Sequence, residues 1–329
     1  MFTRRHLIAM SAAQLCTPYL FVGSGQAQMP PTNFPQRTVR FIVPTAAGGP
    51  TDIVARMLAE KLSEMWRMTV VVENIAGAGT NIGNEYVARS DPDGYTILFA
   101  TAALAINASL YHSLSYDPVT DFAPVSLVTQ LPFFLFVPNS SPANSVEELV
   151  KLAKANPGAL TIASPGVGTA PHLAEALFMQ MADIKMTHVP YRGAAPAFAD
   201  VISGRVDGYF GSGALLTYAN SGQVRVLATT GPKRDPAAPK IPTMQESGIL
   251  GFEVMAWQAL FAPAKTPPKI IGKLSADTNL VLANPSIIDR LSRSGYVAGG
   301  SSPEELERLL RAEIAKWHAT IKSLGIKIN

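Results

Sequence analysis

Two segments of this chain, more than a hundred residues apart, share one design: a short apolar strand, a glycine-containing turn and the start of a helix. The first runs from Val39 to Asp52 and the second from Thr161 to His172. A strand that ends in such a turn at a helix N-terminus leaves backbone N–H groups unpaired, and the helix dipole adds partial positive charge there. Each segment therefore predicts an anion-binding turn. The pair predicts two lobes that close on one small acidic ligand.

Strand-like and helical patterns alternate along the rest of the chain, in the order expected for right-handed βαβ units of parallel sheets. Strands are predicted at 39–43, 69–73, 96–101, 160–164, 188–191, 207–211 and 224–229, and helices at 53–65, 81–89, 146–155, 173–181, 196–203, 267–283 and 303–324. The last helix has an amphipathic stripe made by Leu306, Leu309, Leu310, Ile314, Trp317 and Ile321.

Two further apolar stretches predict strands that cross between the halves of the molecule. They are residues 125–137, interrupted by Pro132, and residues 257–262. Two crossings make the first lobe from two separate chain segments. A cleft between lobes joined in this way is expected to work as a hinge.

The first 27 residues have the pattern of an export signal. Arg4 and Arg5 begin it, a mostly apolar run follows over 7–22, and Gly25-Gln26-Ala27 offers small residues for cleavage. The arginine pair also fits a twin-arginine signal, so the sequence leaves both export routes open. A membrane anchor is the alternative, but polar residues and a proline break the apolar run short of the ~20 residues that a span needs. We expect the cleaved protein to be periplasmic.

Charge and cysteine content exclude several classes of protein. The chain holds 27 Lys and Arg against 24 Asp and Glu, and the predicted signal contains two of the basic residues and none of the acidic ones, which leaves a net charge of +1. So neutral a chain has no electrostatic attraction to nucleic acid or to an anionic membrane. The single cysteine, Cys16, lies in the predicted signal, so we expect no disulfide.

Seven segments in a fixed order resemble one protein family. They are PTAAGGPTD (44–52), VVENIAGAGTNIGNEYVARSDPDGYT (71–96), SLSYDPVTDFAPVSLV (113–128), ASPGVGTAPHLA (163–174), HVPYRGAAPA (188–197), SGRVDGYF (203–210) and KIPTMQESGILGFE (240–253). This ordered set resembles the extracytoplasmic receptors of tripartite tricarboxylate transporters, also called Bug proteins. The resemblance covers essentially all of the chain after the predicted signal.

The resemblance implies an α/β fold of the two-lobed type II periplasmic-binding-protein class. In that class each lobe is a mainly parallel sheet flanked by helices, and the cleft lies between the lobes. We assign residues 1–27 to the cleaved signal, 32–125 with 250–329 to the first lobe, and 126–249 to the second. The implied function is capture of a small mono-, di- or tricarboxylate, without chemistry, and its delivery to a membrane permease. We expect a monomer that needs no cofactor or metal.

Carried over position by position, the resemblance implies eleven ligand contacts, made largely by backbone amides. They are Thr45, Ala46, Ala47, Gly48, Thr101 and Ala102 in the first lobe, and Ser164, Val167, Gly168, Thr169 and Asp207 in the second. Many relatives have an aromatic residue where this chain has Thr45, and asparagine where it has Val167. Both changes touch the cleft, so the resemblance does not identify the acid.

Several polar residues near these turns have a structural alternative. Thr169 is also a good helix N-cap. Asp207 would accept hydrogen bonds either from a ligand hydroxyl or ammonium group or from N–H groups of a neighbouring turn. Arg192 would either pair with a distal carboxylate or be a solvated loop cation. His172 is predicted to pack or cap in the first turn of its helix.

Enzyme motifs are incomplete in this sequence. Gly211-Ser212-Gly213 lacks the spacing of a nucleophile elbow. Gly77-Ala78-Gly79 is followed by Ile82 where a dinucleotide fingerprint needs its third glycine. The four histidines after the predicted signal show no metal-ligand spacing. A periplasmic enzyme acting on a small organic acid is kept as the alternative, and the effector domain of a regulator is disfavoured by the export signal.

Overall fold

Ten strands and ten α-helices are found in the part of the chain that the computed structural model describes, residues 34–325. The strands are β1 Val39–Val43, β2 Val70–Asn74, β3 Thr96–Thr101, β4 Phe122–Pro138, β5 Thr161–Ser164, β6 Thr187–Pro190, β7 Gly208–Ser212, β8 Val224–Thr229, β9 Met255–Pro263 and β10 Val297–Ala298. The helices are α1 Pro50–Trp66, α2 Asn81–Ala88, α3 Ala103–Leu110, α4 Val146–Ala155, α5 Ala170–Ala182, α6 Ala194–Ile202, α7 Leu216–Asn220, α8 Pro268–Leu282, α9 Pro285–Arg293 and α10 Pro303–Leu324. Short 3₁₀ segments cover Ala78–Thr80 and Gly213–Leu215. The predicted export signal and Cys16 lie outside the described residues.

The strands form one continuous sheet in the order β2-β1-β3-β9-β4-β7-β5-β6, with β10 and β8 also paired to β4. Strand β1 is parallel to β2 and β3, and β5 is parallel to β6 and β7, as the βαβ patterns predicted. Strands β9 and β4 run antiparallel to their neighbours. Each half of the sheet is therefore parallel at its outer side and antiparallel toward the middle.

Strand β4 runs through both halves. Its first part, residues 122–132, pairs with β9, and its second part, residues 133–138, pairs with β7 and β8. Pro132 faces Met255, the first residue of β9, so the proline falls where the ladder ends and little pairing is lost. The sequence predicted both crossing strands. The assignment of two lobes divided at 125 and 249 stays a prediction.

Helix α10 illustrates how the sequence sets an element and its packing. Ser302 and Glu305 form a reciprocal capping box at its start, which satisfies N–H groups that a helix leaves unpaired. The predicted stripe is confirmed: Leu306, Leu310, Trp317 and Ile321 are buried, and Leu309 and Ile314 are half-buried. The helix packs on α3, β4 and α5, and so touches both halves of the sheet.

The largest apolar cluster also joins the halves. It contains Leu98 and Phe261 from the first half together with Phe178 and Phe210 from the second. Side chains packed at such density transmit strain from one element to the next.

No helix among residues 34–325 is both long enough and apolar enough to cross a membrane.

Candidate ligand-binding site

The turn between β1 and α1 is organised by a buried carboxylate. Asp52, which is 2% exposed, accepts hydrogen bonds from the main-chain N–H of Gly48 at 2.9 Å, from Arg56 Nε at 2.8 Å and from Asn74 Nδ2 at 3.0 Å. The Arg56 guanidinium contributes most to holding the pKa of Asp52 below its usual value, against the opposing effect of burial. The carboxylate of Asp52 is therefore the anion that the N-terminal turn of α1 binds.

Asp52→Asn should lower the free energy of unfolding by about 1.5–3 kcal/mol at pH 7, the range for hydrogen bonds to charged groups. Because the folded-state pKa of Asp52 is depressed, its contribution is full above the unfolded value of ~3.9 and is lost as the pH falls through the folded value. Urea unfolding at pH 7 and pH 3 measures this. Asp91→Asn, at an exposed aspartate, is the control, and an equal loss for Asp52→Asn at both pH values would contradict the role given to its charge.

The turn between β5 and α5 is held from behind by side chains. Gly166 N donates to Ser164 Oγ at 3.2 Å, and Gly168 N donates to His172 Nδ1 at 3.1 Å. Thr169 occupies the N-cap position of α5, but its hydroxyl donates to Gly166 O at 2.7 Å and does not cap the helix. Thr169 is at the predicted N-cap position, but the prediction that its side chain caps the helix is wrong, because the hydroxyl closes the turn instead.

A buried polar cluster lies behind this turn. Ser164 Oγ is 2.7 Å from His188 Nε2, and the rings of His188 and His172 stack with centroids 4.1 Å apart. Glu175 is fully buried, its Oε2 lies 3.8 Å from His188 Nε2, and neither of its oxygens has a hydrogen-bond partner among the described residues. Three elements of the second half, β5, α5 and β6, thus meet at one polar cluster.

Burial keeps this cluster uncharged. It lowers the pKa of His172 to about 4, with His188 adding to the effect, and it also lowers the pKa of His188. It raises the pKa of Glu175 well above the usual range of a glutamate, because no cation or hydrogen-bond donor compensates the ionised form. Neutral His172 can accept from Gly168 N, which a protonated ring nitrogen cannot do.

The Ser164–His188 contact does not make a nucleophilic site. In a triad the carboxylate binds the imidazole nitrogen that faces away from the nucleophile. Here Glu175 and Ser164 both approach the same nitrogen, His188 Nε2. Ser164 is also completely buried. The hydroxyl of Ser164 instead accepts from Gly166 N and so positions the turn.

A cavity of about 740 Å³ opens between the two turns and α3, within the range of small-molecule sites. Its polar side chains are those of Thr45, Thr51, Thr80, Thr101, Asn107, Thr129, Thr169 and Gln258. Its larger apolar and aromatic residues are Ile106, Leu110, Tyr111, Leu131, Val167, Trp257 and Tyr296. Both halves of the sheet contribute, so the cavity is the cleft that the sequence predicted between them.

The cleft brings together six of the eleven residues expected to touch the ligand. Thr45, Thr101, Ala102, Val167, Gly168 and Thr169 line it. Ala46, Ala47 and Gly48 are exposed and do not line it, and Ser164 lies in the polar cluster behind the second turn.

Asp207 also lies away from the cleft. It precedes β7, and its carboxylate accepts from the main-chain N–H and the hydroxyl of Thr161, both at 2.8 Å. Thr161 begins β5, whereas the turn between β5 and α5 follows the end of that strand. The structural alternative for Asp207 is therefore the one observed. Arg192 is exposed and does not line the cleft either.

One wall of the cleft was missed at the sequence level. Helix α3 supplies Ile106, Asn107 and Leu110, and the loop of residues 76–80 packs beside it. In that loop Ala78 and Thr80 have positive φ values of 45° and 86°, which is rare for a β-branched residue. Asn107 Nδ2 holds the loop by donating to Gly79 O at 2.7 Å. The sequence signals for this wall are the Gly77-Ala78-Gly79 run and its place in the family-like segment 71–96, and neither shows that the loop faces the cleft.

Within the described residues, no three His, Cys, Asp or Glu side chains come together in a way that would hold a metal ion. This includes His172, Glu175 and His188, despite their proximity. The cluster is a packed structural unit behind the turn.

Comparison with known proteins decides the family. The sequence model of the family described as tripartite tricarboxylate transporter family receptor matches residues 54–326. The chain belongs to this receptor family. The predicted resemblance is thereby confirmed.

The receptor is 38% identical over 301 residues to the UPF0065 protein in the tcbD-tcbE intergenic region of Pseudomonas sp. strain P51, across 90% of this chain and 89% of that protein. R. palustris Rpa4515, solved with adipate, is 35% identical with a TM-score of 0.75, across 89% of this chain and 99% of that one. The periplasmic binding protein BugD is 36% identical with a TM-score of 0.71, over the same shares. The predicted periplasmic-binding-protein fold is therefore confirmed.

Proposed function

We propose that this chain is a periplasmic receptor that captures a small carboxylate in the cleft between its halves. The observation that carries the proposal is the cleft itself, which the β1–α1 turn and the β5–α5 turn both line in a member of a solute-receptor family. The adipate held by Rpa4515 supports a carboxylate as the kind of ligand. The receptor delivers that acid to the membrane permease of a tripartite tricarboxylate transporter, and works as a monomer after export.

Six residues are proposed as ligand contacts: Thr45, Thr101, Ala102, Val167, Gly168 and Thr169. They are the predicted residues that line the cleft. Gly48 and Gly168 donate their N–H groups to Asp52 and His172. Hydroxyl groups therefore carry more of the recognition than expected from the sequence, which implied contacts made largely by backbone amides. A ligand carboxylate still finds the partial positive charge of the α5 N-terminus beside it.

Binding proceeds by closure of the cleft around strands β4 and β9. The pairing of β4 changes from β9 to β7 and β8 between Pro132 and Phe133, and β9 begins at Met255. These positions give hinge points near residues 132 and 254, a few residues beyond the predicted 125 and 249. Helix α10 and the shared apolar cluster contact both halves, and so limit the rotation to a small angle.

The chain binds without chemistry. The cleft offers no histidine, acid or cysteine as a base or nucleophile among the residues that line it, and neither Ser164 nor His188 is one of those residues. A receptor of this kind returns its ligand unchanged.

Adipate should therefore bind the purified protein with one molecule per chain, be recovered intact, and reduce the radius of gyration. Calorimetric titration gives the stoichiometry, mass spectrometry the recovered acid, and small-angle scattering the compaction. Adipamide, a neutral analogue of equal length, is the matched control and should not bind. Conversion of adipate, or equal binding of adipamide, would refute the receptor function, and an unchanged radius would refute the hinge.

A further inference from the structure

We propose that the cleft selects carboxylic acids with an apolar aliphatic or aromatic body over acids that carry hydroxyl groups. This inference rests on the proposed function, because it specifies which carboxylates the receptor takes. It comes from the chemistry of the cleft lining, where charge is absent and more than half of the residues have apolar or aromatic side chains.

None of the 25 residues that line the cleft is Asp, Glu, Lys, Arg or His, and 14 of them have apolar or aromatic side chains. A polar group moved from water into such surroundings loses free energy unless it finds a hydrogen-bond partner. A ligand with many hydroxyl groups therefore needs many partners in the lining.

Several polar side chains of the cleft already donate to protein acceptors. Asn107 Nδ2 donates to Gly79 O at 2.7 Å and to Asn81 Oδ1 at 2.8 Å. Thr129 donates to Gln258 Oε1 at 3.1 Å. The hydroxyl of Thr169 donates to Gly166 O. These groups would have to give up a protein acceptor in order to donate to a ligand hydroxyl, and that exchange brings no net gain.

The donors that remain suffice for one carboxylate. Thr51 Oγ1 accepts from Gln258 Nε2, and Thr101 Oγ1 accepts from Ala103 N, each at 3.4 Å. Each hydroxyl proton is therefore free to point at the ligand. The main-chain N–H of Val167 makes no hydrogen bond among the described residues. The hydroxyl of Thr45 and the indole N–H of Trp257, both from residues that line the cleft, also lack a hydrogen-bond partner among the described residues. Together these donors match the two oxygens of a carboxylate, which have about four acceptor sites.

The apolar wall is built to receive the rest of the ligand. Ile106 and Leu110 are each 3% exposed and present part of their surface to the cleft from α3. Leu131 of β4 and the rings of Tyr111 and Tyr296 complete this wall. Each CH₂ group that a ligand buries there should tighten binding about fourfold.

Titration of two ligand sets tests the inference on the purified protein. In the first set, butyrate, pentanoate, hexanoate and heptanoate should bind about fourfold more tightly for each added CH₂. In the second, 3-phenylpropionate should bind at least tenfold more tightly than 3-phenyllactate, which differs only by one hydroxyl.

The outcomes separate this inference from the function on which it rests. Equal or tighter binding of the hydroxylated member of the pair, or a flat response to added CH₂ groups, overturns the inference while carboxylate capture stands. Equal binding of hexanamide and hexanoate, or no binding of any acid in the panel, overturns the proposed function and the inference together.

A substitution in the apolar wall tests the inference independently of the ligand sets. Leu131→Asn keeps the size of the half-buried side chain and adds hydrogen-bonding groups to the cleft. It should reduce the preference for 3-phenylpropionate over 3-phenyllactate to less than threefold. Leu280→Asn, at a leucine of α8 that is 64% exposed and outside the cleft, should leave the preference unchanged. If Leu131→Asn leaves the preference unchanged, Leu131 does not contribute to the selectivity, and the role given to the apolar wall is overturned.

Discussion

Gly168→Val should weaken binding of the receptor's acid at least tenfold. Gly168 has a φ of +79° and lines the cleft at the second turn. A residue with a β-carbon loses about 1–2 kcal/mol in this left-handed conformation, and a β-branched one is especially unfavourable there. The added side chain also occupies the space through which a carboxylate approaches the turn. Strain and crowding act together on the same contact.

Gly158→Val separates those two effects. Gly158 has nearly the same φ, +81°, and a β-carbon added there meets no atom within 4 Å. It lies in the turn after α4, outside the cleft. Both variants should lose similar stability in urea unfolding, but only Gly168→Val should lose affinity for hexanoate or 3-phenylpropionate in calorimetry. Equal affinities for the two variants would remove Gly168 from the site.

Glu175→Gln should stabilise the protein at pH 7 by more than about 1.4 kcal/mol, the equivalent of one pKa unit. Glu175 is buried without a hydrogen-bond partner among the described residues, and burial raises its pKa well above the usual value. The folded protein therefore keeps a proton that the unfolded chain releases above ~4.3. The favourable contribution is full below that pH and is lost as the pH rises toward the folded value.

Glutamine does not titrate, so the variant escapes this loss. Its advantage should be large at pH 7 and close to zero at pH 4, measured as the difference in free energy of unfolding from urea titrations. Glu253→Gln, at an exposed glutamate, is the control and should show no such trend. The same advantage at both pH values would mean that Glu175 is ionised in the folded protein.

The predicted fold was correct where local pattern decides structure. Strands β1, β3 and β8 and helix α4 have the bounds that the sequence predicted, because apolar runs end there at prolines, glycines or capping residues. Helix α3 was missed because Leu104, Ala105, Ile106, Asn107 and Leu110 are all buried, and a helix buried on most sides has no polar face to give it a period. Helix α9 has sequence signals of its own, the Asn284 cap and Pro285, and was predictable from them.

The site was predictable only in outline. Glycine and proline spacing located both turns, yet it did not show which N–H groups face the ligand. Asp52 accepts a hydrogen bond from Gly48 N, and His172 accepts one from Gly168 N. These two side chains therefore decide which N–H groups of the turns are left for a ligand. The cluster of Ser164, Glu175 and His188 assembles from separate elements, so spacing along the chain gives no hint of it.

The pairing of β3 with β9 has a consequence for the order in which the chain acquires its structure. Leu98 is opposite Phe261, so the first half cannot complete its sheet until the chain has reached β9. The second half draws β5 to β8 and its share of β4 from residues 133–229 alone. Contacts between distant residues form slowly, so we expect the second half to take shape first. During that interval β3 and β4 present unpaired edges of the kind that aggregate, and the closing of β9 between them ends the exposure.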